Sequence, residues 1–240
     1  MSQVFDKETV SQQERSDIFV IVPAYNEGPM LGDVLSELAK TGHQVVVVDD
    51  GSIDETHAIA KRHTSHVLKH LVNRGQGAAL QTGIDYALAH GCNMVATFDA
   101  DGQHRIEDME RMIDRIRDGE CDVVLGSRFL DRETRESIPA GRRLLLRCAT
   151  ATQRILTGAK LTDAHNGLRV LSSKAASRIE LTNDRMAHAS EIIDQIFATD
   201  LVVKEHPVHI EYTEYSMGKG QSWIDGFRVL FHYIISRVFG

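Results

Sequence analysis

A chain of 240 residues with a formal charge of −7 has no basic surplus to displace counterions from nucleic acid, which excludes general nucleic-acid binding. Its 42 % hydrophobic and 25 % charged residues are those of an ordinary soluble globular chain, large enough for one generous domain or a domain with an appendage. Cys92, Cys121 and Cys148 form no CxxC pair, the polar start MSQVFDKETV lacks the apolar core of a signal peptide, and no apolar run reaches about 18 residues, so the expectation is free thiols, a cytoplasmic chain and no membrane span.

Residues 1–16 read as a polar flexible tail. IFVIV (18–22) and VVVVD (45–49) are continuous apolar runs, as expected of strands buried on both faces of a parallel sheet. Between them PMLGDVLSELAKTG has helical spacing and closes on Gly42. A helix over about 54–63, a short strand near HVLKHL, and a helix in GQGAALQTGIDYALAHG ending at Gly91 follow. MVATF and DVVLG read as further strands. This alternation predicts an α/β fold with a mostly parallel sheet. Past residue 130 the expected elements are a helix over 141–157, a returning strand in HNGLRVLS, helices near 173–179 and 187–198, and LVVKEHPVHIEY broken at Pro207. SWIDGFRVLFHYIISRVFG carries an apolar stripe at 223, 224, 227, 230, 231, 234, 235 and 238, an amphipathic helix.

In open α/β sheets ligands bind beyond the carboxyl ends of the strands, and three such exits here are chemically loaded. They are VPAYNEG (22–28), DDGSIDET (49–56) and DADGQH (99–104). In DADGQH, Asp99 and Asp101 leave the strand on the same side, and a divalent cation would relieve their repulsion; hard oxygens suit Mg²⁺ or Mn²⁺, with Gln103 or His104 as a further ligand. A plain surface turn is the other reading of Asp-rich, Gly-containing sequence. In DDGSIDET, Ser52 or Asp54 serves to cap the next helix, while Asp50 exceeds what capping needs and is free to contact a base or ribose. NRGQGAAL (73–80) has Gly75 and Gly77 of a dinucleotide loop but Leu80 where the third glycine belongs, and no P-loop is present. His63, His66 and His70 straddle a helix end and a strand, a poor basis for a zinc site. The basic segment Arg142–Arg154 faces something anionic or is a solvated helix face.

VPAYNEG, VVVVDDGSIDET, NRGQGAALQTGI, FDADGQH, VLGSRF and HNGLRV, in that order and spacing over about residues 17–222, resemble the inverting glycosyltransferases of family 2 and GT-A fold. The likeness is greatest to the dolichyl-phosphate mannose synthase branch, which loads sugars onto polyprenyl phosphates. The resemblance implies a GT-A domain over 17–215, a Rossmann-like central sheet flanked by helices, with an active-site loop and C-terminal amphipathic helix over 216–240. It implies that Pro23, Tyr25, Glu27, Asp50 and Asp99 bind the nucleotide sugar. Asp99, Asp101 and Gln103 would hold Mg²⁺ or Mn²⁺ on the diphosphate. Arg128, Arg142 and Arg143 would engage the acceptor phosphate, and Lys219 in MGKGQS would close over the diphosphate. Arg169 and Glu191 match further family motifs near the site, so Asp101, Arg128, Glu191 and Lys219 are the expected catalytic set.

The implied partners are a UDP- or GDP-sugar and a polyprenyl phosphate, in cell-envelope glycan synthesis at the inner face of the cytoplasmic membrane. Several relatives carry C-terminal membrane helices; here the terminal stripe could lie in the membrane interface, pack on the domain, or meet a membrane-embedded partner subunit. A phosphate acceptor needs cations rather than a base, whereas a sugar-hydroxyl acceptor needs a general base such as Glu191 or Asp194. Transfer to such a hydroxyl is the alternative within enzymes, and non-catalytic nucleotide-sugar binding the alternative outside them.

Overall fold

The computed structural model describes residues 17–182 and 188–211. Strand β1 (Ile18–Ala24) leads into α1 (Gly28–Ala39), then β2 (Gln44–Asp49), α2 (Thr56–His63), β3 (His66–Lys69), α3 (Gln76–Ala89) and β4 (Met94–Thr97). The chain continues through α4 (Ile106–Arg117), β5 (Val123–Ser127), α5 (Arg132–Ser137), α6 (Ala140–Thr157), β6 (Arg169–Ser172), α7 (Ser173–Ala176), α8 (His188–Phe197) and β7 (Val203–Pro207). Helices α4 and α5 occupy segments where the sequence reading assigned no element. The terminal stripe from 222 onward and Lys219 lie outside the described residues.

One seven-stranded sheet runs in the order β3-β2-β1-β4-β6-β5-β7. Strand β6 is antiparallel to both β4 and β5, and every other pairing is parallel, which is the mostly parallel sheet expected. The order turns back between β1 and β4, because β2 and β3 extend one way and the later strands the other. That switch point is where an open sheet leaves a crevice at its carboxyl edge.

Each β1 residue is buried, and alternate side chains feed two cores. Phe19 and Ile21 pack with Leu80, Ile84, Ile192 and Ile196 under α3 and α8; Ile18, Val20 and Val22 pack with Leu31, Leu35, Met109 and Met112 under α1 and α4. Burial on both faces is why the run is apolar without alternation, each such side chain contributing about 1.5–3 kcal/mol of transfer free energy. Gly83 lets α3 lie against β1, since a Cβ there would stand 2.2 Å from Ile21 Cγ2. No helix among the described residues is long and apolar enough to cross a membrane.

Candidate active site

The exits of β1 and β2 are stapled to each other. Asn26 adopts φ 52°, the left-handed region that a polar, non-branched side chain tolerates. Its N–H donates to Ser52 Oγ (3.0 Å) and its Oδ1 accepts from Ile53 N–H (3.0 Å). Glu27 N–H donates to Thr56 Oγ1 (2.8 Å), and Gly28 N–H to Asp54 Oδ2 (3.2 Å). Asp54 thus receives the first N–H of α1 as well as that of α2 at Thr56 (3.0 Å), and Ser52 holds the β1 loop rather than capping α2. These bonds fix the backbone that presents Pro23, Tyr25 and Glu27 to the crevice.

Asp50 is 3 % exposed and organises the next two loops. Its carboxylate accepts from His70 Nδ1 (2.7 Å), Arg74 N–H (2.9 Å) and Gly75 N–H (2.6 Å). Gly51, at φ 75°, permits the crossing of these loops, for a Cβ there would lie 2.7 Å from the Val72 carbonyl carbon. Asp50 lines the cavity, yet both its oxygens already serve protein donors.

The two carboxylates at the β4 exit are differentiated by their neighbours. Asp99 Oδ1 accepts from Gln76 Nε2 (3.0 Å) and Oδ2 meets His104 Nε2 (3.0 Å). Burial alone would raise the Asp99 carboxyl, although 29 % of its side chain is open; the hydrogen bond and charge of His104, with Arg169 and His188 behind, outweigh it and hold the group below the usual range. Asp101 has only the Gln103 N–H (3.1 Å) among the described residues. Burial and then the charge of Asp99 push its carboxyl up to about 6, with His104 and the Gln103 N–H opposing. One carboxylate is settled by protein cations, and the other is left in want of a positive charge.

Across the same cavity lie cations. Arg128 gives Nε (2.6 Å) and Nη2 (2.8 Å) to the buried Asp163, a bidentate pair, and burial of Asp163 is overcome by that guanidinium, which keeps its carboxyl low. Such a pair is electrically balanced, and Arg142, in the first turn of α6, brings a second guanidinium to the cavity wall. Arg169 is buried, and desolvation lowers it to about 10 despite Asp99 and Asp163. His165 is pushed down to about 4, by burial first and by Arg128 among its neighbours, and its Nδ1 is buried without a hydrogen-bond partner among the described residues.

The cavity, about 590 Å³, has the size of a small-molecule site. It brings together Pro23, Tyr25, Glu27, Asp50, Asp99, Asp101, Gln103, Arg128 and Arg142. Arg143 is not among its lining residues and donates from Nη1 to the Arg135 carbonyl (3.3 Å). Glu191 is also elsewhere, with Oε1 accepting from Thr182 N–H (3.1 Å) and Oγ1 (2.6 Å), and Asp194 Oδ1 accepts from Gln153 Nε2 (2.6 Å). Among the described residues no group of three or more His, Cys, Asp or Glu side chains could hold a metal by itself. The donors present are the two hard carboxylates of Asp99 and Asp101, which suit a cation completed by water and substrate phosphates.

Residues the sequence reading did not single out also shape the site: Asn73, Gln76, His165 and Gly167 line it. A Cβ on Gly167 would stand 2.2 Å from Asp99 Oδ2, so glycine lets the β6 approach lie against the carboxylate. The motif HNGLRV contained that signal, and NRGQGAAL contained Gln76, but neither spacing reveals that they converge on Asp99.

The model of the family glycosyl transferase family 2 matches residues 19–180. A protein of Methanococcus voltae named UDP-N-acetylglucosamine–dolichyl-phosphate N-acetylglucosaminyltransferase is 29 % identical over 241 residues, covering 92 % of this chain and 96 % of that one. Polyprenol monophosphomannose synthase of Mycolicibacterium smegmatis is 32 % identical over 185 residues, covering 74 % of this chain and 69 % of that one. Among solved structures, glucosyl-3-phosphoglycerate synthase from Mycobacterium tuberculosis, in complex with Mn²⁺, uridine diphosphate and glucosyl-3-phosphoglycerate, aligns with a TM-score of 0.63. That alignment spans 95 % of this chain and 81 % of that one at 18 % identity, a likeness of fold. The sheet with its antiparallel β6 is therefore the GT-A arrangement, and the chain belongs to glycosyl transferase family 2, as a glycosyltransferase.

Proposed function

We propose that this glycosyltransferase moves a sugar from a UDP- or GDP-sugar to a polyprenyl phosphate, with inversion and with a divalent cation. The observation that carries the reading is the composition of the cavity. It joins the acidic pair Asp99 and Asp101 to Arg128 and Arg142, while Glu191 and Asp194, the base candidates a hydroxyl acceptor would need, do not line it. A phosphate acceptor is already an anion and requires guidance by cations, not deprotonation. Two relatives named for dolichyl phosphate and polyprenol support the acceptor class, and the fold neighbour's Mn²⁺ and uridine diphosphate support the donor class and metal.

In this reading Pro23, Tyr25, Glu27 and Asp50 shape the nucleotide end. Asp99, held ionised by His104, and Asp101, held by the Gln103 N–H, are the residues that would hold Mg²⁺ or Mn²⁺. When bound, such a cation neutralises charge on the departing diphosphate. Arg142 and Arg128, which both line the cavity, draw the acceptor phosphate to the anomeric carbon, and Arg143 is assigned to the same acceptor from its motif alone. A phosphate oxygen forms the new bond to that carbon as its bond to the nucleoside diphosphate breaks on the opposite side, which inverts the centre. Lys219 is assigned to the diphosphate from its motif alone, Glu191 to positioning the segment at Thr182. The test is kinetic: Arg142→Ala raises KM for polyprenyl phosphate about tenfold or more with donor KM unchanged. A donor-side effect alone would overturn the assignment.

A further inference from the structure

Residues 165–167 are strung between the cations and the carboxylates of the cavity. At one end the His165 N–H donates to Asp163 Oδ1 (3.1 Å), the oxygen that also accepts from Arg128 Nη2 (2.8 Å). At the other the Gly167 carbonyl is tied to Thr97 Oγ1 (2.6 Å), and a Cβ on that glycine would meet Asp99 Oδ2 at 2.2 Å. His165 and Asn166 thus line the stretch of wall between Arg128 and Asp99. The His165 ring is half-buried, and its Nδ1 is enclosed with no hydrogen-bond partner among the described residues. A buried N–H with no acceptor is costly, so the ring proton is assigned to Nε2. Burial pushes the ring down to about 4, which makes it an uncharged donor at neutral pH. Beside it, Asn166 spends Oδ1 on the Leu168 N–H (2.8 Å) and keeps its NH2 as a second donor.

We propose that His165 is a specificity-determining residue that donates from Nε2 to a hydroxyl of the sugar in transfer, with the Asn166 amide beside it on the same wall. The inference rests on the nucleotide-sugar reading of the cavity. With the departing diphosphate at Asp99 and Asp101 and the incoming phosphate at Arg128 and Arg142, the sugar occupies the space between them. In-line displacement demands that order, because it keeps the two phosphates on opposite sides of the anomeric carbon. The wall facing that space is the one His165 and Asn166 line. A phosphate is met better by a cation, whereas an uncharged N–H matches a hydroxyl. A site built to hydrogen-bond a hydroxyl rejects the analogue that lacks it, since the protein group is then left unpaired. The pair therefore selects among sugars and leaves the nucleotide and the acceptor to other residues.

The experiment takes the UDP- or GDP-sugar that the full chain uses best, together with its four monodeoxy analogues, and measures kcat/KM for each by release of the nucleoside diphosphate. Wild type, His165→Ala and His165→Gln are compared, with thermal unfolding, acceptor KM and inhibition by free nucleoside diphosphate read beside them. His165→Ala is expected to lower kcat/KM for the full sugar about tenfold or more, with acceptor KM and diphosphate inhibition unchanged. One monodeoxy donor is expected to cost the wild type a similar factor and to be indifferent to the substitution, and His165→Gln, which keeps an N–H donor, recovers part of the loss. An equal loss on every monodeoxy donor overturns the contact in favour of a structural role. A rise confined to acceptor KM overturns it in favour of the acceptor. Wild type that tolerates removal of each hydroxyl in turn overturns it without any variant. Transfer of the sugar only to hydroxyl acceptors, with the deoxy pattern as expected, leaves the contact standing and defeats the polyprenyl-phosphate reading instead. No release of diphosphate from any nucleotide sugar defeats the proposed function and the contact with it.

Discussion

Gly167→Ala probes the site without touching a charged group. The new Cβ would lie 2.2 Å from Asp99 Oδ2 and 2.8 Å from its Cγ, against an ordinary contact of 3.4 Å or more. The backbone cannot easily yield, because Thr97 Oγ1 donates to the Gly167 carbonyl (2.6 Å) and ties it to β4. The carboxylate must therefore move by about 1 Å, stretching its bonds from His104 and Gln76, both now 3.0 Å. A displacement of about 1 Å at a catalytic group costs on the order of a hundredfold in rate. The assay is the initial rate of sugar transfer at saturating donor over a range of Mn²⁺, beside thermal unfolding of the same variant. Gly141→Ala is the control, since a Cβ there meets nothing within 4 Å. A Gly167→Ala rate within about threefold of wild type would refute the claim that Asp99 is held in place by this contact.

Asp101→Asn is expected to lower turnover at least about a hundredfold and to raise the Mn²⁺ needed for half-maximal rate, read by metal titration, because it withdraws the carboxylate proposed to hold the cation. Asp163→Ala leaves Arg128 buried without its partner and is expected to cost about 3–5 kcal/mol in chemical denaturation; Arg128→Met with Asp163→Leu restores most of that stability but not transfer activity. His165 has a folded value of about 4 against about 6.5 unfolded, so between those pH values the unfolded chain binds the proton the native chain refuses. Stability from this group is complete above about pH 6.5 and declines as pH falls toward 4, by up to about 3 kcal/mol; His165→Gln flattens that part of a denaturation-versus-pH profile. Gly83→Ala brings a Cβ to 2.2 Å from Ile21 Cγ2 and is expected to lower the melting temperature with the site chemistry intact.

What could be read before folding was set by range. Strands β1 and β2 announce themselves because burial on both faces leaves a continuous apolar run, and the acidic exit DADGQH follows one such strand directly. Helix α4 is hard to see in the sequence although Met109, Met112 and Ile113 recur at helical spacing, since charged residues crowd between them and hide the stripe. The pairing of Arg128 with Asp163 joins residues 35 apart, so the arginine of GSRF looked like an unengaged acceptor clamp. Likewise His70 and the Arg74 and Gly75 amides claim Asp50 only because β2 and β3 are neighbours in the sheet. His104, undecided between ligand and bystander, is the partner of Asp99, a role that depends on the turn at Gly102 with φ 73°. Glu191 belongs to a motif that the resemblance puts near the site, and Asp194 is the other base candidate, yet their carboxylates accept from Thr182 and Gln153.

The most direct test of the account is the product itself. The chain is incubated with Mn²⁺, labelled UDP- and GDP-sugars in turn, and a short polyprenyl phosphate beside a panel of sugar-hydroxyl acceptors. The account predicts label in a lipid product that releases free sugar in mild acid, as a glycosyl phosphate does, with the anomeric configuration inverted from that of the donor. Label appearing only in glycosides of the hydroxyl acceptors would contradict it.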